Sequence, residues 1–306
     1  MAASSLPFRS ALVVVNPIAG RGRGEPAGED IHRRLVQAGV DATLMKTTRR
    51  GDARERLEAM TPGEIDLVIA VGGDGTIGEV LEGLSRGAHE TPVGVLPMGT
   101  GNVLSIDLGL PRTSEGLFEM LRQAEPVEID LAQVGDRICF MVAGIGVDGY
   151  CAREVERLRK GPITMRTWIR AGLSTFFRKQ PAASLRVTLD GKEIPGTFAF
   201  ALASNVICYG RYFFLSPDRK LDDGEMEIYL FRRGERRFLL GYLLRGLRRK
   251  LDQSPHCVMH RAASMRVESV EPIPYQVDGD FAGETPFTLD VLPQRARLLV
   301  PKDSSL

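Results

Sequence analysis

The chain has 306 residues, 43% hydrophobic and 26% charged, the profile of a protein with buried cores and length for two domains. Its 40 basic and 39 acidic residues leave a net charge of +1, which argues against nucleic acid as a partner. The four cysteines (Cys139, Cys151, Cys208 and Cys257) lack C-x-x-C spacing and read as buried hydrophobes in a reducing cytosol, with neither a zinc site nor a disulfide frame.

In chain order, "MAASSLPFRS" has no apolar core long enough for a signal peptide, and no run of about 18 apolar residues follows to span a bilayer. "ALVVVNP" (11–17), "IDLVIAVGG" (65–73) and "TPVGVLP" (91–97) are β-branched runs of strand length that end in Gly or Pro. Both faces of each are apolar, as in buried parallel strands. Between them Ile31, Leu35 and Val36 share one helical face, and Ile77, Val80, Leu81 and Leu84 share another. The alternation predicts a doubly wound α/β domain whose ligand loops lie at the strand C-termini.

Each of these strands runs into a glycine-rich loop. "NPIAGRGRG" (16–24) spaces Gly20, Gly22 and Gly24 so that backbone amides can face an anion. It matches neither the dinucleotide fingerprint nor the P-loop, and a plain flexible turn explains it as well. "GGDGT" (72–76) places Gly72, Gly73 and Gly75 at the positive end of a helix, where a phosphate is welcome. Asp74 would repel a bare phosphate, so it implies a metal ion or phosphate-bound magnesium between them; helix capping is the other reading. "LPMGTGNVLS" (96–105) adds Gly99, Thr100, Gly101 and Asn102. Three such loops converge on one sheet edge.

After "VEIDLAQVG" (127–135) the pattern changes to short alternating strands: "RICFMVAG", "SLRVTLDGKEI", "TFAFALAS", "EMEIYLF", "SMRVES" and "FTLDVL". "LDGKE" (189–193) is a hairpin turn centred on Asp-Gly. Helical segments are expected near 152–179 and 235–251. The stretch 231–250 carries eight basic residues against Glu235, with Phe238, Leu239, Tyr242, Leu243 and Leu247 at helical spacing. It reads as a helix for an anionic membrane surface or as a core helix with a solvated face. The segment 166–179, with Trp168, Phe176, Phe177 and Arg178, could join that surface. His256 and His260 fall in an extended stretch with no third ligand and read as structural.

The order strand-NPxAGxGxG, strand-GGDGT-helix, strand-LPMGTGN, followed by "FMVAGIGVDG" (140–149), "KLDDGE" (220–225) and "VDGD" (277–280), resembles the diacylglycerol kinase catalytic domain family. That family includes bacterial lipid kinases, sphingosine kinases and ceramide kinases. The resemblance implies an ATP-binding α/β domain over 1–131, rejoined by 294–306, and a β-sandwich-like lipid domain over 132–293, with the nucleotide in the cleft between. It implies ATP on Asn16, Gly20, Gly22, Gly24, Thr47, Gly72, Gly73, Asp74, Gly75, Thr76, Glu79, Gly99, Thr100 and Asn102. Asp278 matches the family's catalytic base, with Asp280 beside it where relatives commonly have glutamate. Lys220, Asp223 and Glu225 match a structural magnesium site that binds through main-chain oxygens. Asp130 with Arg159 and Lys160 resembles a charged network joining the domains. Gly78 and Val103 stand where relatives commonly have Asn and Asp.

The expected activity is transfer of the ATP γ-phosphate to a lipid hydroxyl, diacylglycerol first and sphingoid bases or ceramides next. The expected setting is the cytosol, bound peripherally to a membrane. The expected partners are the lipid substrate, a membrane surface reached through 231–250, and a second copy of the chain. An NAD- or sugar-type kinase sharing GGDGT, and a binding module without catalysis, are the other readings.

Overall fold

The computed structural model describes residues 6–159, 161, 163–178, 183–209, 213–215 and 220–302. The chain divides into two compact units, Met1–Ile129 with Gln294–Leu306, and Asp130–Pro293.

In the first unit the apolar runs become Ser10–Val15, Leu67–Gly72 and Val93–Pro97. Every residue of Leu67–Gly72 is buried, as expected of a central parallel strand covered on both faces. A further strand, Asp41–Lys46, pairs parallel with Ser10–Val15 at the sheet edge. The order is Asp41–Lys46, Ser10–Val15, Leu67–Gly72, Val93–Pro97, all parallel, and Leu298 continues the sheet beside Val93. Helix Gly24–Gln37 buries Ile31 and Leu35 against the sheet, whereas Val36 is exposed, so the predicted apolar face is narrower than expected. Helix Asp74–Arg86 buries Ile77, Val80, Leu81 and Leu84, the full predicted stripe. Its partner in packing is the short helix Asp52–Glu58.

In the second unit, one sheet runs Cys257–Ala262, Met226–Phe231, Phe200–Ser204, Val142–Ile145, Pro274–Val277, Asp280–Glu284, antiparallel throughout. A second antiparallel set joins residues 287–290, the start of strand Phe287–Leu299, to Ser264–Glu268, Arg186–Leu189 and Lys192–Glu193. Asp190 and Gly191, at φ +47° and +76°, make the predicted hairpin turn. The two sets share a core that includes Ile145, Phe198, Ile228, Val267 and Phe287. Helices Val147–Leu158 and Met165–Phe177 fill the first predicted helical segment, and Arg236–Leu247 fills the second. Among the described residues, no helix is long and apolar enough to cross a membrane.

Candidate active site

The three glycine loops of the first unit meet. A Cβ on Gly20 would lie 3.0 Å from the Met98 carbonyl, and one on Gly99 would lie 2.5 Å from Gly73 Cα. Only glycine permits such backbone approach. The Met98 N–H donates to Gly72 O at 2.7 Å, and the Asn16 N–H donates to Val71 O at 3.0 Å, so the loops leave the sheet in register. Gly20 and Gly22 have φ of +60° and +84°; Gly24 lies where a Cβ would strike Asn16 O. Gly73 is the N-cap of helix Asp74–Arg86, and its carbonyl accepts the Thr76 and Ile77 amides. Gly75 is exposed with open space around it, and Thr76 is buried against Gly72.

Asn102 organises the third loop. Its Oδ1 accepts the Gly99 N–H at 2.8 Å and its Nδ2 donates to Gly99 O at 3.0 Å, while Asn102 itself sits at φ +49°. Thr100 is exposed at the loop tip. Two further predicted residues make contacts within the first unit. Glu79 Oε1 accepts the Gly51 N–H at 2.9 Å, and the Thr47 hydroxyl donates to Val15 O at 3.3 Å.

Asp74 lies between the second and third loops. Burial pushes its carboxyl up to about 6, against the pull of the Asn102, Val103 and Asp74 backbone amides. Its Oδ1 is buried and accepts no hydrogen bond from any described residue. A buried, under-coordinated carboxylate oxygen beside an anion cradle fits a divalent cation. The Val103 contact is made by backbone, so valine at this position leaves it intact.

In the second unit Asp278 and Gly279 form the turn between Pro274–Val277 and Asp280–Glu284, with φ of +50° and +90°. The turn is therefore a hairpin, and its side chain also has a defined environment. Asp278 Oδ1 accepts the amides of Met141 and Val142, each at 2.9 Å, and the Cys139 thiol at 3.6 Å. Oδ2 accepts only the Phe140 amide, at 3.0 Å, among the described residues. Burial outweighs these donors and pushes the carboxyl up to about 6. The same burial, with Asp278 alongside, pushes the Cys139 thiol up, so it stays protonated and donates. Asp280 opens the following strand.

The Lys220–Glu225 segment forms a turn in which Asp223 Oδ1 accepts the Glu225 N–H at 3.2 Å and Oδ2 lies 3.7 Å from Arg261 Nη1. Among the described residues no group of three His, Cys, Asp or Glu side chains could hold a metal, so a cation here would rely on main-chain oxygens. Asp130 Oδ2 accepts the Gly224 N–H at 2.6 Å, tying this turn down. Lys160, of the expected charged network, lies outside the described residues. Sequence reasoning missed Asp148 as a partner in this unit: its Oδ1 accepts the Tyr209 hydroxyl and its Oδ2 accepts Gln276 Nε2. Nothing local in the sequence links residues so far apart.

Residues 10–134 match the family described as the diacylglycerol kinase catalytic domain, and residues 141–300 match the YegS C-terminal NAD kinase beta sandwich-like domain. The chain carries a diacylglycerol kinase catalytic domain followed by a YegS-type C-terminal domain. It is 25% identical over 304 residues to a diacylglycerol kinase of Bacillus subtilis (strain 168), covering 97% of this chain and 98% of that one. It is 24% identical to a diacylglycerol kinase of Staphylococcus haemolyticus (strain JCSC1435), covering 96% and 89%. A crystal structure of a diacylglycerol kinase from Bacillus anthracis str. Sterne shares the fold, with a TM-score of 0.76, 21% identity, and coverage of 97% and 99%. This pair of domains makes the chain a kinase that uses ATP, and the β-sandwich-like reading of the second half is borne out.

Two stability predictions follow from the loop geometry. Gly99→Ala forces the second and third loops apart and should cost about 1–3 kcal/mol in urea unfolding. For Asp74, the folded chain binds the proton more tightly than the unfolded chain, so its contribution is full below about pH 4 and lost as pH rises through about 6. Asp74→Asn should therefore unfold at a higher temperature than the parent at pH 7 without magnesium, with the gap closing by pH 4.

Proposed function

We propose that the chain phosphorylates the free hydroxyl of diacylglycerol, with ATP held by the glycine loops of the first unit and the lipid and general base carried by the second. The observation that carries the base assignment is the asymmetry at Asp278. Oδ1 is saturated with donors whereas Oδ2 takes one, which leaves Oδ2 with lone-pair capacity for a substrate proton. The lipid oxygen forms a bond to the γ-phosphorus as the bond to the β-phosphate oxygen breaks, ADP takes that electron pair, and the hydroxyl proton passes to Asp278 Oδ2. An ordinary carboxylate near 4 is a poor acceptor for an alcohol proton, and raising it to about 6 narrows the mismatch. Asp74 is the residue suited to magnesium, which when bound would offset phosphate charge.

The loop amides orient the phosphates without adding positive charge that must itself be desolvated. Glycines at 73 and 99 bring the backbones of the second and third loops close together, and Asn102 fixes the third loop with both ends of its side chain. Glu79, turned to Gly51, acts by fixing the helix against its neighbour.

The acceptor sits in a bilayer, and helix Arg236–Leu247 has the form to reach it. Tyr242 and Gly246 face inward, with the Tyr242 ring against Phe200 and Phe231. Leu240, Leu243, Leu244 and Leu247 face outward at i, i+3, i+4 and i+7, all exposed. The expected apolar set is corrected here: Tyr242 belongs to the core, and Leu240 and Leu244 to the surface. Exposed Ile169, Leu173 and Phe177 add a second apolar stripe on helix Met165–Phe177, and Arg236 Nη2 donates to Phe177 O at 2.6 Å, linking the two helices. An exposed leucine face bordered by Arg237, Arg248, Arg249 and Lys250 suits an anionic membrane surface.

The direct test supplies γ-labelled ATP and magnesium with vesicles of diacylglycerol, sphingosine or ceramide, and separately with NAD or fructose 6-phosphate. Label should appear on diacylglycerol; label on NAD alone would overturn the reading. Asp278→Asn should lower transfer on the order of 10²–10⁴-fold with ATP still bound. In the parent enzyme kcat should rise with pH through about 6, because Asp278 accepts a proton only when ionised. For docking, replacing Arg237, Arg248 and Arg249 by Gln should weaken co-sedimentation with anionic vesicles on the order of 100-fold, at about 1 kcal/mol per charge. Unchanged sedimentation would remove this face as the docking surface.

A further inference from the structure

Gln276 is 1% exposed on the strand that leads into the Asp278–Gly279 turn. Both ends of its carboxamide are used. Nε2 donates to Asp148 Oδ2 at 2.6 Å, and Oε1 accepts the Gly279 N–H at 2.6 Å. Asp148, in the first turn of helix Val147–Leu158, also accepts the Tyr209 hydroxyl through Oδ1. The backbone N–H of Gly279 can only donate, so it selects the oxygen end of Gln276 and leaves the amino end for Asp148. The site is built tightly around this chain of bonds: a Cβ on Gly144 would lie 2.0 Å from Asp148 Oδ2.

The turn needs such support. Asp278 holds a left-handed backbone at φ +50°, which an L residue with a Cβ adopts at a cost. Its own amide donates to Val142 O at 2.8 Å, and its carboxylate is gripped by the amides of residues 140–142. Those bonds fix Asp278 from one side. The bond from Gly279 to Gln276 fixes the next residue from the other. Without it the turn can tip, and Oδ2 moves relative to the substrate hydroxyl.

We propose that Gln276 is a positioning residue for phosphoryl transfer: by holding the Gly279 amide and being held by Asp148, it fixes the turn that aims the Asp278 carboxylate. The inference rests on the reading of Asp278 as the general base. Gln276 touches neither nucleotide nor lipid in this role. It acts through the turn.

The test uses the full chain with diacylglycerol vesicles and magnesium ATP. Gln276→Leu keeps the branched end of the side chain one atom closer to the backbone and loses every hydrogen bond of the carboxamide, the long one from Nε2 to Val142 O at 3.4 Å included. Its kcat should fall on the order of 100-fold, the scale of a misplacement of about 1 Å, with the KM for ATP within about twofold of the parent. As the turn tips toward water, the acid limb of its kcat profile should move below the parent's. Titratable groups facing Asp148 and Asp278 from the packed elements are Tyr209, Cys151 and Cys139, all pushed up by burial, so none of them supplies that limb.

Gln276→Glu keeps the shape and gives a rescue. The introduced carboxyl and Asp148 share one proton at this spacing, which reproduces the donor of the amide. Its kcat should be near the parent's around neutrality and fall at higher pH, where the shared proton is lost, in a range where the parent does not fall. A lowered melting temperature in Gln276→Leu with unchanged kcat per folded molecule and an unchanged acid limb would overturn the inference. Should Gln276→Leu fail to fold, a pH-independent kcat in Gln276→Glu above neutrality does the same. Failure of the underlying reading looks different: Asp278→Asn would then keep its transfer activity, whatever Gln276 does.

Discussion

Taking a carboxylate out of water is costly, and this fold does it at Asp74, Asp148 and Asp278, whose surroundings answer that one constraint. Burial pushes all three carboxyls up, and each is compensated differently. Asp278 receives backbone amides from three consecutive residues, a donor set that among substitutions only proline removes. Asp148 receives a phenol and a carboxamide. Asp74 keeps Oδ1 buried and without a donor among the described residues. The degree of compensation thus falls from Asp278, held by the backbone, through Asp148, held by side chains, to Asp74.

The nucleotide loops show a different economy. Their shape is set by what is missing from side chains, since Gly73 and Gly99 touch through their backbones and Gly20 lies against Met98. This makes the family departures easier to understand. Val103 reaches Asp74 with its amide, so the loss of an acidic side chain there leaves the bond in place. Gly78 lies on the helix after the turn, past the residues that form the loop contacts.

What could be read from the sequence tracks how local the determining physics is. Leu67–Gly72 announces itself because burial on both faces demands an unbroken apolar run. Asp41–Lys46 does not: it is an edge strand with alternating exposure, and "DATLMK" has no strong strand composition. Pro274–Val277 and Asp280–Glu284 escape for a related reason, being short and interrupted by Asp and Gly. The helix Arg236–Leu247 was recognisable by its period, yet its inner and outer faces were not, because leucine and tyrosine serve either side equally well. The glycine loops were visible as motifs. The bonds joining Asp148, Gln276 and Gly279 were not, since 128 residues separate the first two and only the folded sheet unites them.

The first unit is discontinuous: the last segment of its sheet, around Leu298, is supplied after the whole second unit has been made. During synthesis the edge of Val93–Pro97 that Leu298 later covers therefore has no partner while about two-thirds of the chain is still to come. An uncovered, fully apolar strand edge invites wrong pairing with other chains. The second unit, continuous from Asp130 to Pro293, faces no such wait. The first unit can therefore complete its sheet only after the whole of the second has been synthesised.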